Sequence, residues 1–170
     1  NDDTLPITID EVIYHAKSVA KACRHAFVVC DMPFGSYQVN RDEGVRNAIR
    51  IMKESGADAV KLEGGSEIID TIKGILAAGI PVVGHLGLTP QSVHKFGGYG
   101  VRAKDEAEAA KLLSDAKLLD EAGVCALVLE KVPHKLAAEV SKQIEAPTIG
   151  IGAGNETDGQ VLVYTDAMGM

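Results

Sequence analysis

The sequence predicts an α/β fold, a (β/α)8 TIM barrel, with six strands in hand and the first two strands absent from this sequence. Three observations predict it. Helical and strand-like patterns alternate without a linker or low-complexity break, which makes residues 1–170 a single barrel domain, and helical crossovers dictate a parallel sheet. Four segments end alike, an apolar or β-branched run leading into ionisable side chains and then a Gly or Pro turn: FVVCDMPFG with Asp31, AVKLEGG with Lys61 and Glu63, PVVGHLG with His85, and ALVLEKVP with Glu130. These ends also fall on consecutive strands. An open doubly wound sheet gathers ligand groups at one switch point, whereas a barrel brings every strand end to one rim. Because such barrels usually need about 250 residues, two further βα units of roughly 45 to 60 residues are expected upstream.

The elements follow in order. Thr8 with Glu11 reads as a capping box, and Val12, Ile13, Ala16, Val19, Ala20 and Cys23 continue at helical spacing. A strand over 26–32 comes next. Asn40 with Glu43 opens a helix through Val45, Ile49 and Met52 that stops at Gly56. After a strand over 58–63, Ser66 is expected to cap a helix through Ile69, Ile72, Ile75 and Leu76 to Gly79, and Pro81 begins a third strand. Thr89-Pro90 reads as N-cap and first turn of a short helix, and 96–100, FGGYG, as a loop. The stretch 105–122 is helical and ends at Gly123. A strand over 124–130, a helix over 134–144, a strand over 147–151 and a final apolar run over 161–164 complete the chain.

Composition narrows the function. With 46% apolar residues and 18 Gly, the chain can bury one core. No apolar run approaches the about 20 residues of a membrane helix, and no signal peptide opens the sequence, so the expectation is a cytoplasmic protein without a membrane partner. Cys23, Cys30 and Cys125 are odd in number and widely spaced, which reads as small core residues rather than disulfides or a zinc cluster. A net charge of -7 without a basic block argues against nucleic acid. The run 150–155, GIGAGN, lacks the third glycine and the acidic partner of a dinucleotide site and the Lys-Ser/Thr of a P-loop. A tight turn where backbone approaches a ligand accounts for it better.

A charge has no packing role at the end of a buried strand, since burying an unpaired carboxylate costs several kcal/mol. Three carboxylates, one Lys and one His on a shared rim therefore suggest a divalent metal holding a small anionic substrate. Lys61 alone would read as a snorkelling surface lysine, but it lies two residues before Glu63, on the same strand face. His85 is read as a substrate hydrogen-bonding group, with a satisfied structural histidine as its rival. His15, His25 and His134 read as surface or helix-end groups, and His94 lies nine residues from His85 across a turn, too far for a shared metal site.

The strings TLPITIDEV, DMPFGSY, VKLEGG, GHLGLTPQSV, FGGYGV, LVLEKVP and IGIGAGNETDGQVLV closely resemble the ketopantoate hydroxymethyltransferase family, seven blocks in family order over nearly all of the chain. That resemblance implies a (β/α)8 barrel transferring a hydroxymethyl group from 5,10-methylenetetrahydrofolate, the co-substrate, to 3-methyl-2-oxobutanoate. The product is 2-dehydropantoate, for pantothenate biosynthesis. Mg²⁺ is the implied cofactor, and a large homo-oligomer such as a decamer the implied assembly. By its motifs, Asp31 holds metal and substrate, Lys61 binds substrate, Glu63 binds metal, and Glu130 accepts the proton. The family's G-D-S motif, whose Asp binds metal and whose Ser binds the keto acid, has no counterpart, because this sequence begins just after it.

Mg²⁺ takes octahedral oxygen ligands, so one or two carboxylates with the oxygens of a chelating α-keto acid suit it. A bound cation then acts as a Lewis acid on the enolate left when a C3 proton departs. Two rivals share parts of this reading: a Mg²⁺-dependent barrel lyase or mutase of the phosphoenolpyruvate mutase and isocitrate lyase group, and a non-catalytic scaffold chain.

Overall fold

The structure, a computed structural model, describes residues 4–169. Its first helix, α1 (Ile9–Ala22), starts at the expected capping box: the Glu11 amide donates to Thr8, whose own amide donates to the Glu11 carboxylate. Strand β1 (Val29–Asp31) is shorter than its apolar run suggests. Helix α2 (Arg41–Ser55) is capped by Asn40 and ends on Gly56 in the left-handed region, φ 77°. Then come β2 (Ala59–Glu63), α3 (Ile69–Ala77), β3 (Val82–Gly87), a 3-10 turn over Pro90–Ser92 and the short α4 (Val93–Phe96). Helix α5 (Glu106–Ala122) runs from the Asp105 cap to left-handed Gly123. The chain continues through β4 (Ala126–Glu130), α6 (His134–Gln143), β5 (Thr148–Ile151), β6 (Gly159–Gln160) and α7 (Tyr164–Ala167).

The six strands form one parallel sheet in the order β1-β2-β3-β4-β5-β6. That order separates the two α/β architectures. A doubly wound sheet reverses direction at its switch point, whereas here every crossover advances by one strand the same way, as around a barrel. The two faces of the sheet are sorted by side-chain alternation. Val60, Leu62, Val82, Leu86, Leu127 and Leu129 pack outward with Ile72, Ile75, Leu119 and Val140 from the helices. Val29, Ala59, Val83, Ala126, Val128, Ile149 and Ile151 form a separate inner cluster.

Acidic residues near the amino-terminal ends of the strands are consumed by backbone. The Val28 amide donates to Asp58 at 2.8 Å, the Ala146 amide to Asp120 at 2.8 Å, and the Thr148 amide to Asp158 at 2.8 Å. The first and third tie one strand entry to the next, and the second ties the end of α5 to the entry of β5.

Several expectations are corrected. Ser66 does not cap α3: its amide donates to the buried Asp115 at 3.2 Å, and a turn closed by the Ile68 amide on the Gly65 carbonyl delays the helix to Ile69. The last strand precedes the final apolar run rather than lying in it. Only Val161 extends the pairing, through its amide to the Gly150 carbonyl, and Val161, Leu162, Val163 and Tyr164 are exposed. Cys125 is exposed rather than a core residue, while Cys30 is buried. The 150–155 turn packs closely on the start of α6, where a Cβ on Gly154 would stand 2.5 Å from that of His134.

Candidate active site

The alternation that sorts the apolar residues also aims the charges. Asp31 pairs in register with Lys61, Glu63 with His85, and Gly87 with Glu130. All five ionisable side chains therefore share parity with the inner cluster and stand above it at the carboxyl ends of β1 to β4. They line one open cavity of about 1060 Å³, whose floor is Val83, Val128, Ile149 and Ile151. Every site residue expected from the sequence lies in this cavity.

Lys61 Nζ contacts Asp31 Oδ2 at 3.0 Å, with the Asp31 side chain 60% exposed. His85 is the opposite case, a histidine 2% exposed between two carboxylates. Its Nδ1 is 3.9 Å from Glu63 Oε1 and its Nε2 is 3.3 Å from Glu130 Oε2, yet among the described residues neither ring nitrogen has a hydrogen-bond partner. The short approach to Glu130 is therefore proximity with the wrong angle, not a hydrogen bond. Orphaned buried polar atoms cost roughly 1–3 kcal/mol each, and a ligand in the cavity is a natural recipient for them. No hydrogen bond from the described residues satisfies the ring.

Burial raises the Glu63 carboxyl above its ordinary value, against the opposing pulls of His85, the Gln91 amide and Lys61. One of its oxygens is held: the Gln91 amide donates to Oε2 at 2.9 Å. Among the described residues Oε1 receives no such bond, and it faces His85.

Among the described residues, no three His, Cys, Asp or Glu side chains converge as a preformed metal set. The donor chemistry still fits a hard dication of the Mg²⁺ type. Such an ion uses one or two carboxylates and keeps its other positions for water and substrate oxygens, and Asp31 and Glu63 offer that pair.

The family model for ketopantoate hydroxymethyltransferase matches residues 1–170. The chain belongs to that family. A 3-methyl-2-oxobutanoate hydroxymethyltransferase of Bacteroides fragilis is 64% identical over 170 residues, covering 100% of this chain and 62% of the relative. One from Christiangramia forsetii is 63% identical with the same coverage. The chain thus spans 62% of the length of the curated relatives it matches. Among solved structures, a putative phosphonomutase from Burkholderia cenocepacia aligns with TM-score 0.70 at 14% identity, covering 96% of this chain and 75% of that one. The phosphoenolpyruvate phosphomutase of Streptomyces platensis subsp. rosaceus aligns with TM-score 0.67 at 14% identity, covering 96% and 63%. At that identity the likeness is one of fold, the α/β barrel.

For this member of the ketopantoate hydroxymethyltransferase family, sequence reasoning missed three residues behind the rim. Tyr37 is 1% exposed, and its hydroxyl donates to Gln91 Oε1 at 2.8 Å while accepting from the Glu63 amide at 3.1 Å. Gln91 donates through Nε2 to the Met32 carbonyl at 2.8 Å. Asp115 is buried, bonded to Lys111 and the Ser66 amide, and lies against Gly65, where a Cβ would meet its carboxyl at 2.3 Å. The signal for Tyr37 and Gln91 was their place inside the DMPFGSY and GHLGLTPQSV blocks.

Proposed function

We infer that this chain provides the barrel rim on which a hydroxymethyl group passes from 5,10-methylenetetrahydrofolate to 3-methyl-2-oxobutanoate, giving 2-dehydropantoate. The observation that carries this reading is the buried His85 with both ring nitrogens unpartnered between Glu63 and Glu130, in a chain of this family. A cation held by Asp31 and Glu63 would supply Lewis acidity toward the α-keto acid.

The chain's own residues divide the remaining work. Lys61, at the rim beside Asp31, exchanges that ion pair for the substrate carboxylate. His85 donates to a substrate oxygen, which satisfies a nitrogen that none of the described residues satisfies. Glu130 takes the C3 proton, and the carbon left electron-rich attacks the one-carbon unit of the folate. Water supplies the oxygen of the new hydroxymethyl group, and tetrahydrofolate leaves. The apolar floor of Val83, Val128, Ile149 and Ile151 suits the branched alkyl end of the keto acid. We extend the reading to residues 1–170 as part of one barrel domain and to a homo-oligomer. Among the described residues no helix is long and apolar enough to cross a membrane.

The test is C3-proton exchange of 3-methyl-2-oxobutanoate in deuterated water by the intact protein with Mg²⁺ and no folate. Exchange without folate, and ketopantoate only after folate is added, are the expected results. Absence of exchange in an otherwise folded protein would remove the proton-abstraction role from this rim.

A further inference from the structure

Glu63 is not aimed by its strand alone. Gln91 reaches it from the turn after β3, and the same residue reaches the chain immediately after Asp31. Its backbone amide donates to Glu63 Oε2 at 2.9 Å, and its side-chain Nε2 donates to the Met32 carbonyl at 2.8 Å. The amide orientation is fixed chemically, because a carbonyl can only accept. Oε1 of Gln91 is then the acceptor, and it receives Tyr37 Oη at 2.8 Å and Gln38 Nε2 at 3.1 Å. Tyr37 has one proton to give, and the Glu63 amide donates to the same hydroxyl at 3.1 Å. The circuit closes: Met32 carbonyl, Gln91, Tyr37, Glu63 backbone, Glu63 carboxylate, and Gln91 again.

We propose that Tyr37 and Gln91 are positioning residues for the divalent cation, a clamp that fixes the separation of Asp31 from Glu63 and leaves Glu63 Oε1 as the oxygen presented to the site. This rests on Asp31 and Glu63 being the carboxylates that hold the cation. Two features favour a clamp over incidental packing. Tyr37 is 1% exposed, so the network is shielded from competing water. Each bond in the circuit joins segments that are distant in sequence, the ends of β1, β2 and β3, so the clamp constrains the relation between strands rather than one loop. Groups that orient metal-ligating carboxylates typically contribute 10- to 100-fold in metal affinity.

The test is Mn²⁺ binding to the intact protein without substrate, read from the electron paramagnetic resonance of the free ion. Tyr37→Phe removes only the hydroxyl. Gln91→Met keeps the backbone donor to Glu63 and removes the side-chain amide. Each is expected to raise the Mn²⁺ dissociation constant about tenfold or more with the number of sites per folded chain unchanged. Because both act through one circuit, the double variant should lose much less than the product of the single losses. A purely structural role would instead lower the number of competent sites and leave the affinity of the rest at the parental value. That result, or parental affinity in both variants, would overturn the clamp. If Gln91→Met fails to fold, Tyr37→Phe decides alone. Failure of the parent itself to bind Mn²⁺ would sink the cation reading of Asp31 and Glu63 and the clamp with it, an outcome distinct from a parent that binds and variants that match it.

Discussion

His85 Nε2 and Glu130 Oε2 stand 3.3 Å apart across neighbouring strands without a hydrogen bond between them. Both groups keep their bonding capacity for a third party, and the cost is borne by the folded protein. His85→Leu should therefore remove two orphaned nitrogens, leave the melting temperature equal or higher, and weaken keto-acid binding about tenfold or more. Calorimetric titration with a parallel thermal melt reads both. A lower melting temperature with unchanged affinity would return His85 to a structural role.

Glu130→Gln keeps the shape of the rim but cannot accept a proton. Turnover should fall by about 10²- to 10⁴-fold while the keto acid still binds. If C3 exchange continues at the parental rate, another group is the base.

Asp31→Asn exchanges a hard anionic ligand for a neutral amide and also breaks the 3.0 Å pairing with Lys61. Half-saturation by Mg²⁺ should shift upward. An unchanged titration would exclude Asp31 from the cation.

Gly87 sits beside Glu130 in register with φ 91°, and a Cβ there would fall 2.3 Å from the Glu130 carbonyl oxygen. The Leu88 amide donates to that same oxygen at 2.8 Å. Gly87→Ala should cost about 1–3 kcal/mol in stability and displace the end of β4. Denaturant titration checks the first effect and C3 exchange the second; a variant equal to the parent in both would contradict the clash.

Burial, with a smaller contribution from the Asp31 charge, raises the Cys30 thiol from an ordinary 9.0 to about 11. Between those values the unfolded chain releases a proton that the folded chain retains, so this contribution to stability is complete below pH 9 and is lost as pH rises through 11. Cys30→Ala should flatten that part of the stability curve. A thiol reagent at pH 8 should label exposed Cys125 before Cys30, and equal rates in the folded protein would refute the burial.

The parts of this molecule legible in the sequence are those written in local chemistry. Thr8 with Glu11, Asn40 with Gly56, and Asp105 with Gly123 mark helix ends because their bonds reach only a few residues. Asp31, Lys61, Glu63, His85 and Glu130 stand out because a charge ends an apolar run, an anomaly visible without coordinates. Tyr37 and Gln91 carry no such mark. Their partners are 26 to 59 residues away, so their burial is decided only when the ends of β1, β2 and β3 meet. Asp115 was hidden in the same way, a carboxylate at a helical position whose neighbour Gly65 comes from a different loop. The run 161–164 misled for the converse reason: its apolar character suggests burial, but among the described residues little covers it.

The odd-even sorting of the strands has a consequence for which length changes the gene can carry. Lys61 and Glu63 lie two apart with Leu62 facing the helices between them, so inserting or deleting a single codon within β2 would turn part of the strand over. The shift would send Leu62 toward the cavity and press a lysine or a glutamate into the layer beneath α2. Within these strands, length changes of one residue should be lethal to the site while changes in the connecting turns are absorbed. Surviving insertions should therefore cluster in segments such as 97–101, where Gly97, Gly98 and Gly100 have open space around them.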